Sequence, residues 1–357
     1  MKVFRILSIN PGSTSTKIAI THNKEFIFQK NIKHSHSELN KLKDINSQFK
    51  FRKNIIINEL KKNNVDILNI DAIIGRGGLL HPIKGGVYKV NEKMISDLKK
   101  GVSGQHASNL GGIIALDIAK QINAKAFIAD PVIVDELNDI ARISGHPEID
   151  RISIFHTLNH KSTARLFAKS QNTTYEKLNL IIAHIGGGIS IGAHYKGKVI
   201  DVNNALDGDG PFSPERTGSL PVGQLIKLCF SNKYTYSEIK EQITKKGGLT
   251  AYLGTNSVEH IEQLVKTGDK KAKLIIDALA YQVAKSIGEM ATVLHGDINA
   301  ILITGGVANS KYITNYITQM VNFLAPVFIY PGENEMQALA TNGLLVMRGD
   351  IPCNIYT

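Results

Sequence analysis

The sequence predicts an α/β protein built as two duplicated lobes, and three observations lead there. At 357 residues the chain exceeds the size at which a single hydrophobic core stops growing, roughly 250–300 residues. Its 43% hydrophobic content comes with only 6% aromatics and no Trp, which suits an aliphatic, sheet-centred interior. Residues 6–32 and 178–205 share one pattern of strand, polar or Gly-rich turn, strand, short turn and strand, and a duplicated domain is the simplest account of it.

Apolar runs at 4–10 and 16–21 flank Pro11-Gly12-Ser13-Thr14-Ser15. Backbone N–H groups and the hydroxyls of Ser13 and Ser15 converge there on a space suited to an anion, and Lys17 adds a positive charge. Turns at 22–24 and 195–197 lead to the third strand of each lobe. Strand-like runs follow at 71–74 and 126–129, then at 300–304 and 327–330, among helix-like segments. If the two hairpin turns face each other across a cleft, a nucleotide polyphosphate gains backbone donors from both sides. A third motif, Thr304-Gly305-Gly306-Val307-Ala308-Asn309-Ser310, lets backbone approach a flat or charged ligand closely. Met336, Leu339, Ala340, Leu344 and Met347 have the period of a final helix with a buried face. The expected lobes are 1–176 with 335–357, for substrate and phosphate, and 177–334, for the nucleotide.

Several function classes drop out. Residues 192–198 have P-loop spacing, but Val199 stands where Ser or Thr is required and the context is strand-turn-strand; no G-x-G-x-x-G occurs. A net charge of +11 raises the question of nucleic acid, yet the lysines are scattered through amphipathic segments such as 41–62, with no basic stripe interleaved with aromatics. Positive charge then serves small anions. No stretch reaches the roughly 18–20 apolar residues of a membrane span, and Arg5 and Asn10 interrupt the N-terminal run, so the reading is a cytoplasmic protein with no membrane partner. Cys229 and Cys353 lie far apart without metal-ligand spacing, as free thiols in a reducing compartment do.

Taken together, SINPGSTSTKIAI, GRGGLLHPIKGG, GQHASNLGGIIA, ARISGHPEIDR, AHIGGGISIGAH, VIDVNNALDGDGPFSPERTGSLP, GGLTAYLGTN, ITGGVANS and YPGENEMQALA resemble the acetate and sugar kinase, heat-shock ATPase and actin superfamily. Within it they are similar to the acyl-kinase (acetokinase) branch, most closely to butyrate kinases, over nearly the whole chain. The resemblance implies two actin-like ATPase lobes with a ribonuclease H-like βββαβαβα core and a nucleotide cleft between them. It also implies reversible phosphoryl transfer between ATP and a short-chain carboxylate, with Mg²⁺, in a homodimer or larger homo-oligomer. Such a site needs no strong base, because a carboxylate is already ionised; it must hold two anions together and neutralise the moving phosphoryl group.

The resemblance also carries roles to particular residues. Arg76, bracketed by Gly75 and by Gly77 and Gly78, looks like the arginine that takes the substrate carboxylate, and Arg216 like the one that stabilises the transferring phosphoryl group. His156 and His184 match two active-site histidines, with His106 and Phe155 expected on the substrate side. Asp130 resembles the catalytic aspartate that positions magnesium, and Asn10 and Glu335 resemble magnesium-linked groups, with Glu333 an alternative to Glu335. Asn10, Ser13, Ser15, Lys17, His184, Gly186, Gly187, Gly188, Gly305, Gly306 and Asn309 would hold the nucleotide. His22, His34, His36 and His295 read as structural.

Acetate kinases usually carry Val where this chain has Gly77 and Gly78, so a pocket floor roomier by one or two side chains is expected, wide enough for a butyrate-sized tail. Each methylene discriminates by only about 1 kcal/mol, so neighbouring acids should also react. Two departures stand out. Ser257-Val258-Glu259 replaces an Asp-x-Arg segment that helps to hold adenosine, and His160 replaces a usual Gln. The alternatives are an acetate, propionate or branched-chain acid kinase of the same family and, in another class, an actin-like or chaperone-like nucleotide-binding protein.

Overall fold

The computed structural model describes residues 3–39, 42 and 44–357; Lys41, which opens the lysine-bearing segment, and the side chain of His36 lie outside the described residues. The chain's contacts divide it into two units, Met1–Val134 with Asn334–Thr357, and Asp135–Glu333.

The first unit opens with β1 (Arg5–Pro11), β2 (Ser15–His22) and β3 (Glu25–Lys33), an antiparallel run. β4 (Ala72–Arg76) pairs parallel with β1, and β6 (Lys125–Ala129) pairs parallel with β4. β5 (Val87–Lys89) runs antiparallel on β6, and a terminal strand, Cys353–Ile355, completes a seven-stranded sheet in the order terminal strand, β5, β6, β4, β1, β2, β3. Strands β1, β4 and β6 are aliphatic on both faces because helices cover both. The helix Asn109–Ile122 packs on β4 and β6 through residues such as Ile113, Ile114 and Ile118. The C-terminal helix Glu335–Arg348 packs on β1, β4, β2 and β6 through Met336, Leu339, Ala340 and Leu344, and ends at Gly349 in the left-handed conformation. Of the face predicted for this helix, Met336, Leu339, Ala340 and Leu344 are buried and Met347 is half-buried.

The second unit repeats that topology. β7 (Asn179–Ile185), β8 (Ile189–Tyr195) and β9 (Lys198–Val202) are antiparallel; β10 (Ala300–Gly305) pairs parallel with β7, and β11 (Val327–Pro331) parallel with β10. Its order β11, β10, β7, β8, β9 repeats β6, β4, β1, β2, β3 of the first sheet. The long helix Lys270–Val293 covers one face, burying Ile276, Leu279, Val283 and Ile287. The helix Thr157–Ser170 covers the other, with Ala164, Phe167 and Ala168 against Leu180, Ile182, Ala300 and Leu302.

The duplication read from the opening hairpins therefore extends through all five strands. By contacts, however, residues 135–176, placed with the first lobe on sequence, group with the second unit. An amphipathic helix goes where a sheet face lacks cover, and the apolar stripe of Thr157–Ser170 covers β7 and β10. Leu344 is fully buried between the C-terminal helix and its sheet. Leu344→Ala is expected to cost about 2–5 kcal/mol, read as a lower urea midpoint. Leu274→Ala, at a site 67% exposed, should leave the midpoint within about 0.5 kcal/mol of wild type.

Candidate active site

Polar side chains gather in the first unit where the aliphatic strands end. Asn10 is near the end of β1, Arg76 ends β4, and Asp130 directly follows β6; register places β4 between the other two. Glu335, the first residue of the C-terminal helix, is 4% exposed and comes to the same edge. Asn10 Nδ2 donates to Glu335 Oε2 at 2.6 Å, and Arg76 Nη1 donates to Glu335 Oε2 at 3.3 Å and to Asn10 Oδ1 at 3.4 Å, lying 3.2 Å from Glu335 Oε1 as an ion pair. The Nε–H of Arg76 is buried without a hydrogen-bond partner among the described residues, so the guanidinium retains a donor for an anion. Asp130 adopts φ +38°, and its Oδ1 accepts from the Gly86 N–H at 2.7 Å. Glu333, the alternative to Glu335, belongs to the other unit, where its Oε1 lies 3.9 Å from His184 Nε2.

The expectation of a roomy floor at Gly77 and Gly78 is overturned. A Cβ at Gly77 would lie 2.4 Å from Pro131 Cβ, and one at Gly78 would lie 2.5 Å from Asn109 Cα. The space that a larger residue would need is filled by the chain itself, because Asn109 ties these loops together: its Oδ1 accepts from the Leu79 N–H at 2.9 Å and its Nδ2 donates to the Gly104 carbonyl at 3.0 Å. These glycines permit close packing around Arg76 and add no volume for an acyl tail. His106 sits in the adjoining loop, with Nδ1 2.7 Å from Ser108 Oγ.

The hairpin turn after β1 is held from behind by Arg52, which the sequence reading missed. It is fully buried on the helix Gln48–Lys62, and its guanidinium donates to the carbonyls of Gly12 (2.9 Å), Ser15 (3.0 Å) and Ser13 (3.1 Å), to Thr16 Oγ1 (3.0 Å) and to Gln48 Oε1. Burial lowers its pKa to about 10, which leaves it charged at neutral pH. With those carbonyls drawn to Arg52, Ser13 and Thr14 stay exposed and Ser15 half-buried. Lys17 stands across the hairpin from Asn10. An arginine within a lysine-rich helix carries no local signal of this task.

In the second unit, His184 stands near the end of β7 with the Gly186–Gly188 turn after it, as Asn10 stands near the end of β1 with its turn after it. His184 is buried, its Nδ1 is 2.8 Å from Asn159 Oδ1, and its ring stacks on His156 with centroids 3.7 Å apart. Arg216 lies against the glycine turn: a Cβ on Gly188 would come within 2.0 Å of its Nη1, so only glycine fits beneath the guanidinium. Ser213 sets the arginine's loop, its Oγ donating to the Gly187 carbonyl at 2.6 Å and accepting from the Arg216 N–H at 3.0 Å. Arg216 Nη1 donates to the Ala205 carbonyl, while its Nε–H is buried without a partner among the described residues. Burial lowers its pKa, partly opposed by Glu215, whose Oε1 accepts from Asn256 at 2.7 Å. Phe155 is 3% exposed, with its ring edge-on to His160.

Gly305 ends β10, and the exposed Gly306 and Asn309 follow in a short 3₁₀ turn. They line a cavity of about 480 Å³ together with Asn256, Ser257, Val258, Glu259, Glu262 and Ser310, so the segment that departs from the family pattern borders the third glycine motif. The Ser257 hydroxyl caps the helix Val258–Lys266, accepting from the His260 N–H at 3.2 Å.

A model described as the acetokinase family matches residues 149–346. Butyrate kinase 2 of Clostridium acetobutylicum is 56% identical over 353 residues, 99% of either chain. Butyrate kinase 1 of the same organism is 53% identical over 354 residues, 99% of this chain and 100% of that one. Among solved structures, Porphyromonas gingivalis acetate kinase superposes with a TM-score of 0.80 at 17% identity, covering 96% of this chain and 100% of its own, a likeness of fold.

Two stability predictions follow from the buried polar groups. Arg52→Met strands the turn carbonyls and should destabilise the protein by about 3 kcal/mol, read as a lower thermal midpoint. His160 and His194 are fully buried, and burial holds both pKa values well below the ordinary 6.5. The unfolded chain therefore binds more protons, so stability is intact above about pH 7.5 and declines as pH falls below about 6.5, by up to about 1.4 kcal/mol per pH unit for each group. Thermal midpoints across that range check the slope.

Proposed function

The chain belongs to the acetokinase family, and on that footing we propose that it acts as a butyrate kinase, exchanging a phosphoryl group between ATP and a short-chain carboxylate: butanoate and ATP giving butanoyl phosphate and ADP. The observation that carries the reading is a matched pair of arginines, Arg76 and Arg216. Each lies among glycines where an aliphatic strand or its following turn ends, and each has a buried Nε–H still to be satisfied.

In this reading Arg76 takes the carboxylate, with Glu335 and Asn10 holding its far side and leaving its Nε edge for substrate. A carboxylate oxygen attacks the γ-phosphorus; the new O–P bond forms as the β–γ bridging P–O bond breaks, and ADP leaves with that electron pair. Arg216, already stripped of water on one side, meets the charge on the equatorial oxygens at low entropic cost. His156 adds a hydrogen bond to the same oxygens, with the His184 ring stacked on its own. The hairpin turn with Ser13, Ser15 and Lys17, and the Gly186–Gly188 turn, hold phosphates; the cavity at Gly306 and Asn309 takes the nucleoside. Asn10, Glu335 and Asp130 are hard oxygen donors too few to cage a metal, which suits Mg²⁺ carried on phosphates and waters; bound, it would neutralise charge between the phosphates.

No described helix is long and apolar enough to cross a membrane. The exposed thiols of Cys229 and Cys353 fit a reducing cytoplasm. The helix Val222–Cys229 buries none of its residues and leaves Val222 68% and Ile226 53% exposed beside Phe230 at 83%, which supports a homodimer or larger assembly.

Hydroxamate trapping with ATP, Mg²⁺ and acetate, propionate, butyrate, isobutyrate or valerate tests the reading. The highest kcat/KM is expected with butyrate. Arg216→Ala should lower kcat about 10³-fold, and Arg76→Ala should raise KM for the acid about 10²-fold. Preference for acetate or propionate would move the chain to that branch of the family, and no acyl phosphate from any acid would refute the proposal.

A further inference from the structure

Behind His156 runs a buried chain of hydrogen bonds that nothing above uses. Tyr175 Oη is 2.6 Å from His194 Nδ1, His194 Nε2 is 3.1 Å from His160 Nδ1, His160 Nε2 is 2.8 Å from Ser190 Oγ, and Ser190 Oγ is 2.9 Å from His156 Nδ1. Two periodicities create it: Ser190 and His194 share a face of β8, and His156 and His160 stand one turn apart at the start of the helix Thr157–Ser170. Tyr175 is 3% exposed, and Ser190, His160 and His194 are fully buried.

We propose that Tyr175, His194, His160 and Ser190 are positioning residues that fix His156 as the tautomer protonated at Nε2, so that it offers an N–H to the transferring phosphoryl group. The proposal rests on the kinase reading for what His156 touches, but not for the tautomer itself.

The His160–His194 ring pair can run only one of two ways. Burial disfavours charge on His160 and His194, and Lys161 disfavours it further at His194, so each ring has one N–H and one lone pair. Through each ring one hydrogen bond then dictates the direction of the next, and Ser190 Oγ, which also accepts from the His156 backbone N–H at 3.5 Å, keeps its hydroxyl proton for one neighbouring ring nitrogen. The end at Tyr175 decides, because a phenol is the better donor and an imidazole nitrogen the better acceptor. With Tyr175 donating to His194 Nδ1, His194 Nε2–H donates to His160 Nδ1 and His160 Nε2–H to Ser190 Oγ. The Ser190 hydroxyl then donates to His156 Nδ1, which leaves the proton of His156 on Nε2. His184 is set the opposite way, since Asn159 Oδ1 can only accept and draws the proton to Nδ1. The stacked pair thus holds its protons on unlike nitrogens, each by a separate partner.

Long-range ¹H–¹⁵N spectra of histidine-labelled protein read this directly, with His156→Gln used to assign the resonances. The wild-type His156 signals should show the Nε2–H pattern. Tyr175→Phe removes the directing donor and should produce a mixture of tautomers, with kcat about tenfold lower and both KM values within about twofold, as loss of one oriented hydrogen bond predicts. His160→Leu should behave likewise. His160→Gln, whose amide can accept at one end and donate at the other, should restore both the tautomer and kcat relative to His160→Leu. An Nδ1–H pattern in the wild type, an unchanged pattern in Tyr175→Phe, or identical behaviour of the Gln and Leu variants would overturn the proposal. The spectra are taken without substrate, so they decide the tautomer whichever acid proves to be the acceptor.

Discussion

Parallel pairing of β1 with β4 and of β7 with β10 is the constraint on which the rest depends. A parallel sheet covered by helices on both faces admits almost no polar side chain along its strands, so chemistry is displaced to the strand ends. Asn10, Arg76 and Asp130 appear where β1, β4 and β6 stop, and His184 and Gly305 where β7 and β10 stop. Because the pairing is the same in both sheets, each unit raises an equivalent edge with a tight turn after its first strand. Duplication of the hairpin is thereby duplication of that turn.

Desolvation is the second organising cost. Taking Arg52 and Arg216 out of water is unfavourable, and the structure offsets it with backbone carbonyls: those of Gly12, Ser13 and Ser15 for the first, and that of Ala205 for the second. Carbonyl partners satisfy donors without cancelling the charge, unlike a carboxylate. The first unit uses that charge to shape a turn, and the second keeps it beside the Gly186–Gly188 turn. Arg76 is treated differently, its charge shared with Glu335 and its Nε–H kept in reserve. His160 and His194 follow the same logic in neutral form, each ring satisfied at both nitrogens by the next group in line.

Much of this was legible in the residues. Strand periodicity, turn composition and the repeated hairpin are short-range signals, so both hairpins, the later parallel strands and the buried face of the final helix could be placed within a residue or two. The glycine-bracketed arginines were legible for the same reason. Less legible were features in which a residue is used by something distant in sequence. Gly77 and Gly78 read as empty volume, but Pro131 and Asn109 fill it. His160 read as an isolated departure, yet it is one link of a buried chain that begins at Tyr175.

The sequence by itself determined the elements, their duplication and the residue types at the strand ends, because periodicity and turn chemistry act over a few residues. Only the tertiary structure decided that Thr157–Ser170 covers the second sheet, that Arg52 grips the first hairpin and that Glu335 rather than Glu333 shares Arg76. Those outcomes depend on which faces meet once each sheet is covered, and on where a buried donor finds an acceptor. Both are long-range conditions that no local pattern encodes.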